Sequence, residues 1–231
     1  MTAAPGDRSG GLVLALDAST AQGSIAIIRD GRLLAEATVA MRAAADEERL
    51  LPGVARVLEE AGVEPAELAG IVCGAGPGSF TGLRIAAATA KGLAQALGLP
   101  LRAVSSLALV AAAAEPPLAP GRYLVVLDAL RDERFVLAAS VGVDGIVGVD
   151  APARLVPAAA AARLAEAERR VRLGPTEDRA LWPHARGVAR LVTAVLEAPP
   201  VPLESWEPDY GRLAEAQARW EAAHGRRLEV G

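Results

Sequence analysis

The residues whose types and spacing could do chemistry are few. The first group is a glycine-rich turn, GAGPGSFTG (Gly74–Gly82), which follows an apolar run and opens a helical pattern. Such a strand-to-helix turn can aim backbone N–H groups at an anion. Its spacing does not fit a phosphate-binding loop, because no Gly-Lys-Ser/Thr closes it and Lys91, the one lysine, lies nine residues past Gly82. The dinucleotide fingerprint fails as well: Pro77 stands between Gly76 and Gly78, and Thr81 falls where the third glycine belongs. As a nucleophile elbow the turn has Pro77 two residues before Ser79 instead of glycine. The alternative is a tight turn in which Ser79 or Thr81 caps the following helix, and the residues favour it. His184 and His224 stand in no metal-binding frame, and Cys73, the sole cysteine, sits in an apolar run and reads as a core thiol. No catalytic group and no metal site is expected.

The second group is a pair of aspartates, Asp17 and Asp128, each ending an apolar run (LVLALD and YLVVLD). A strand-terminal aspartate before a hairpin is how actin-like and hexokinase-like ATPases hold a magnesium nucleotide. The first turn, Asp17-Ala18-Ser19-Thr20, tolerates such a role. The second, Asp128-Ala129-Leu130-Arg131-Asp132-Glu133, sets bulky and acidic side chains where phosphate would lie. Asp17, Ser19, Thr20 and Asp128 therefore read as a vestigial nucleotide site. The rival function is an ATP-dependent small-molecule kinase with ATP between two lobes.

The elements that position these residues follow from pattern. Leu12–Asp17 is a strand covered on both faces, Ser24–Arg29 a second, Asp30-Gly31 a hairpin turn and Arg32–Val39 a third. A helix is predicted over Asp46–Ala61, with Leu50, Leu51, Val54, Val57 and Leu58 on one face. Leu68–Cys73 is a strand, and the long helix after the glycine turn ends at Leu97 before Gly98 and Pro100. Its core side is Leu83, Ala86, Ala90, Leu93 and Leu97. Its other side carries Arg84, Ala88, Lys91 and Gln95 bordered by Ala87 and Ala94, small residues that either meet solvent or let another helix approach. After EPPLAPG (Glu115–Gly121) the opening pattern recurs in Tyr123–Asp128, Arg134–Ser140 and Asp144-Gly145. That recurrence predicts an α/β chain of two similar lobes. The divisions are a leader at 1–11, lobes at 12–114 and 122–209, and a helical tail at 210–231.

The composition excludes several classes. The 231 residues are 52% hydrophobic and 23% charged, which is globular. Aromatics at 3% and a net charge of −4 argue against a surface that binds nucleic acid unaided. No apolar run is long enough to span a bilayer, and the first residues lack a signal-peptide core, so the expected location is cytoplasmic.

The segment GAGPGSFTGLRIAAATAKGLAQALGLPLRAVSSL (Gly74–Leu107) closely resembles the signature of the bacterial TsaB family, also called YeaZ. LALDAST, the Asp-Gly hairpin, RLLPGVARVLEEAG and DALRDERFVLAAS fall in that family's order, and the tail from Tyr210 to Leu228 is similar to an ending of some members. The resemblance implies two actin-like (ribonuclease H-like) lobes with mixed sheets flanked by helices. It also implies a non-catalytic role in forming threonylcarbamoyladenosine beside the tRNA anticodon. The chain would pair with a larger paralogue, TsaD, which performs the transfer, and a small ATPase, TsaE, would join them. ATP and metal would reside in those partners, tRNA would be met only through the complex, and a homodimer is a further possibility. The family's pairing helices correspond here to Asp46–Ala61 and Phe80–Leu97. The implied interface is Glu47, Leu50, Leu51, Val54, Leu58, Arg84, Ala87, Ala88 and Lys91.

Overall fold

A computed structural model describes residues 11–41 and 50–211. Leu12–Asp17 forms β1, buried at every position because helices lie over both faces of its sheet. β2 (Gln22–Arg29) returns antiparallel, and Asp30 and Gly31 turn the hairpin with φ of 52° and 74°, the left-handed pair that matches strand twist. β3 (Arg32–Ala40) completes the meander. α1 (Leu50–Ala61) crosses to β4 (Gly70–Gly74), α2 (Phe80–Leu97) crosses to β5 (Leu101–Val104), and both strands run parallel to β1. The sheet order is β3-β2-β1-β4-β5. Ser79 caps α2 by accepting the Gly82 N–H at 3.4 Å, and Gly98 ends it in the left-handed region at φ 63°. The acidic first turn expected at Asp46–Glu48 lies outside the described residues, as do most of the leader and the tail beyond Gly211.

After α3 (Ser106–Ala112) the topology repeats. β6 (Gly121–Asp128), β7 (Glu133–Val141) and β8 (Val147–Val149) form an antiparallel meander, with β9 (Arg154–Pro157) also paired to β7. α4 (Ala158–Glu168) leads to β10 (Val171–Gly174), parallel to β6, and β11 (Arg179–Ala180) adds at the edge before α5 (Val188–Glu197). The order β11-β10-β6-β7-β8 is that of the first sheet reversed, strand for strand. Two copies of one strand-order with helices between them are the duplicated actin-like α/β fold.

The layers follow from which residues are buried together. Leu50, Val54, Val57 and Leu58 of α1 and Ala86, Ala90 and Ala94 of α2 cover one face of the first sheet. The other face, with Val13, Ala15, Ala26 and Ile28, shares a core with α3, α5 and the inner face of the second sheet (Val125, Leu127, Leu137, Ala139). α4 closes the outside of the second sheet through Ala161 and Ala165. Every residue of α3 is buried, which explains why its sequence carries no polar face.

One segment departs from the linear division. Residues 198–209, grouped by position with the second lobe, return to the first. The Val201 N–H donates to the Leu101 carbonyl at 2.8 Å, Arg102 Nε donates to the Ala198 carbonyl at 3.2 Å, and Val201, Leu203 and Trp206 pack on the α1–α2 core. Burying these apolar side chains there outweighs the proximity in sequence.

Candidate functional site

β1 and β4 end side by side, with Leu16 in register with Cys73. This brings Asp17 against the glycine-rich turn. Asp17 is fully buried. Its Oδ1 accepts from the Ser19 N–H at 3.0 Å and the Ser19 hydroxyl at 2.8 Å, and its Oδ2 accepts from the Ser106 hydroxyl at 2.5 Å. Ser106 Oγ in turn accepts the Gly76 N–H at 3.0 Å. Burial raises the Asp17 pKa, and the bonds from Ser106 and Ser19 oppose that rise. Burial and the neighbouring Asp17 also push the Cys73 thiol up, which makes it a poor nucleophile.

The glycines make room for protein. A Cβ on Gly74 would stand 2.0 Å from Asp17 Oδ2, one on Gly78 2.3 Å from the Ser19 carbonyl, and one on Gly82 2.0 Å from the Ala18 carbonyl. The Ser79 N–H, which could have faced a phosphate, donates to the Ser19 carbonyl at 2.7 Å. The Ala18–Ser19 turn is therefore what the glycines at 78 and 82 admit, and it takes up the Ser79 N–H.

The other members of the aspartate pair are scattered. Thr20 bonds the Gln22 backbone, and Asp128 accepts from Arg134 at 2.8 Å and from the Leu130 N–H at 3.2 Å. The turn after Asp128 holds Leu130, Arg131 and Asp132 at φ of 61°, 52° and 59° without a glycine. Asp17 and Ser19 are thus brought together, while Thr20 and Asp128 have other partners. Among the described residues no cluster of three His, Cys, Asp or Glu side chains is placed to hold a metal.

The helix pair gives a different picture. Leu50, Val54 and Leu58 pack in the core of the first sheet, and Ala87 of α2 is buried. The reason is helical phase: the stripe that carries α1's apolar residues is the one the first sheet requires. Glu47 lies outside the described residues. Leu51 is half-exposed, Arg84 and Ala88 are exposed, and Lys91 is partly covered. Phe80, absent from the expected interface, is 45% exposed on this side. Its ring lies 4.7 Å from that of Tyr210, Arg84 stands 5.3 Å over it, and Lys91 stands 5.9 Å from the Trp206 ring. The signal for Phe80 was present, since 80, 84, 88 and 91 share one helical face.

His184 occupies a groove lined by Ser24, Thr38, Trp182 and Arg186, where it caps a 3₁₀ turn at Ala185–Gly187. Its Nδ1 accepts the Arg186 N–H at 3.1 Å, which leaves Nε2–H to face Thr38 Oγ1 at 3.3 Å. Burial, and secondarily the Arg186 charge, lower its pKa from 6.5 to about 4. The folded form holds the ring neutral while the unfolded chain takes a proton near pH 6.5. The stability His184 contributes is therefore complete above pH 6.5 and is lost as pH falls toward 4, by up to about 3 kcal/mol. Denaturant melts at pH 7 and pH 4.5 should show this acid loss in the wild type and a smaller one in His184→Gln.

A duplicated actin-like chain with a glycine turn packed against its first hairpin turn is the class the geometry defines. The family model described as "TsaD: tRNA N6-adenosine threonylcarbamoyltransferase" matches residues 39–175. A crystal structure from Pseudomonas aeruginosa, described as an uncharacterized protein with similarity to peptidase YEAZ, is 32% identical with a TM-score of 0.70, covering 87% of this chain and all of that one. Curated relatives named tRNA threonylcarbamoyladenosine biosynthesis protein TsaB include that of Escherichia coli, 34% identical over 53% of this chain and 52% of its own. The Bacillus subtilis protein of the same name is 38% identical over 43% of each chain. The match to these curated relatives spans about half of their length. The chain belongs to the TsaB (YeaZ) family.

Proposed function

We propose that this chain is the non-catalytic partner of a TsaD transferase in the formation of threonylcarbamoyladenosine on tRNA. The observation that carries this reading is the contrast between its two possible sites. The Ala18–Ser19 turn packs on Gly78 and Gly82 and takes up the Ser79 N–H, whereas Leu51, Arg84 and Ala88 lie exposed on two helices. An arginine beside an exposed aromatic, as Arg84 stands beside Phe80 on α2, is the kind of pair that anchors docking surfaces. The names of the relatives supply the pathway. On this reading the chain takes no cofactor of its own, ATP and metal belong to TsaD and the TsaE ATPase, and tRNA is met through the complex in the cytoplasm. The same helix face would serve a homodimer when TsaD is absent. A kinase role would need backbone N–H groups free to meet phosphate at the glycine turn, and the Ser79 N–H there donates to the Ser19 carbonyl.

Reconstitution tests the proposal. With TsaD and TsaE supplied, omission of this chain should cut the yield of modified adenosine roughly tenfold or more, equivalent to at least ~1.4 kcal/mol of lost activation. Full yield without the chain, or release of phosphate from Mg-ATP by the chain alone, would overturn it.

A further inference from the structure

The segment that returns from α5 does more than cover the first lobe. It runs along α2 from Trp206, whose ring faces Lys91, to Tyr210, whose ring lies against Phe80. It then crosses the glycine-rich turn. The Asp209 N–H donates to the Ala75 carbonyl at 2.7 Å, and the Asp209 carbonyl stands 2.2 Å from where a Cβ of Gly76 would be. Asp209 Oδ1 accepts the Gly211 N–H at 2.7 Å, which sets the turn that follows. Gly211, at φ 67°, is wedged between the lobes: a Cβ there would lie 2.4 Å from the Phe135 ring of β7 and 2.7 Å from Pro77 Cβ. Gly76 and Gly211 both have left-handed backbones, at φ 90° and 67°, and both lack room for a side chain. A seat that needs glycine on each of its two sides is a specific fit.

We propose that Asp209–Gly211 is an internal plug that sits between the glycine turn of the first lobe and β7 of the second and clasps the two together. The chain then holds one interlobe arrangement with no ligand. The shared core around α3 joins the lobes, and the plug joins them a second time at the glycine turn.

Hydrogen exchange read by mass spectrometry on the full chain tests this. Gly211→Val drives a branched side chain into Phe135 and Pro77, and Tyr210→Ala removes the ring that holds the strap on Phe80 without touching the wedge. In both variants, peptides covering 74–80 and 133–137 should exchange roughly tenfold faster than in the wild type, while peptides covering β1 and β2 keep their rates. If residues 201–211 exchange freely and the two flanking peptides keep wild-type rates, the plug does not clasp the lobes. Uniform acceleration through β1 in both variants also overturns the proposal, because the strap would then be an inseparable part of the global core.

Discussion

Replacing Ala88 by arginine should weaken co-elution with TsaD roughly tenfold or more, a loss of at least ~1.4 kcal/mol in pairing. Ala88 lies exposed near the middle of α2, and packed helices stand ~8–10 Å apart, nearer the lower end where the side chains at the contact are small. An arginine there must either lie across the contact or be desolvated without a partner, and both oppose association. The isolated chain should be nearly unaffected, since an exposed helix position tolerates substitution within about ±0.5 kcal/mol. Equal melting temperatures for variant and wild type would establish that the fold is intact. Unchanged co-elution under those conditions would remove α2 from the interface. A parallel Leu58→Ala variant separates surface from support. Leu58 is buried, so its truncation should lower stability by about 2 kcal/mol or more and affect pairing only through that loss.

That contrast marks how far periodicity reaches. The apolar stripe of α1 was legible from Leu50, Val54, Val57 and Leu58, yet spacing alone does not say whether the stripe meets its own sheet or another chain. The first sheet, Ile25 and Ile27 included, claims it. Local signals were more decisive where the physics is local. Asp30-Gly31 turned the hairpin, Ser79 capped α2, Gly98 ended it, and the recurrence of LD before a second meander foretold the repeated topology. His184 caps a turn, and its groove against Thr38, 146 positions away, left no trace in the sequence around it. Asp17 is the sharpest case. A carboxylate after an apolar strand reads as a ligand for metal or phosphate, and what makes it a buried structural group is Ser106, 89 positions away. The same limit applies to the glycine turn, whose composition signals a close approach without naming what approaches.

Gly74 turns that last point into a measurement. Its missing side chain leaves room for Asp17 Oδ2 and Ser106 Oγ, which would lie 2.0 and 3.0 Å from an added Cβ. Neither neighbour can retreat. Asp17 is tied to Ser19 and Ser106 at 2.8 and 2.5 Å, and β1 is fixed to β4 by a parallel ladder. Gly74→Ala should therefore cost about 4 kcal/mol, the sum of a broken buried hydrogen-bond network and a displaced charge. Asp17→Ala should also destabilise, by leaving the Ser19 and Ser106 donors without their acceptor. The double variant should be more stable than the two losses added together by at least ~1 kcal/mol, because removing the carboxylate creates the room that the new methyl needs. Strict additivity in denaturant melts would mean that the glycine serves something other than Asp17. Gly92→Ala supplies the opposite sign from the same chemical change. Gly92 lies inside α2 with open space where its Cβ would be, so the methyl group should stabilise the helix by about 0.5–1 kcal/mol. One glycine is there because a neighbour needs the space, the other leaves helix stability unused on a face that a partner would approach.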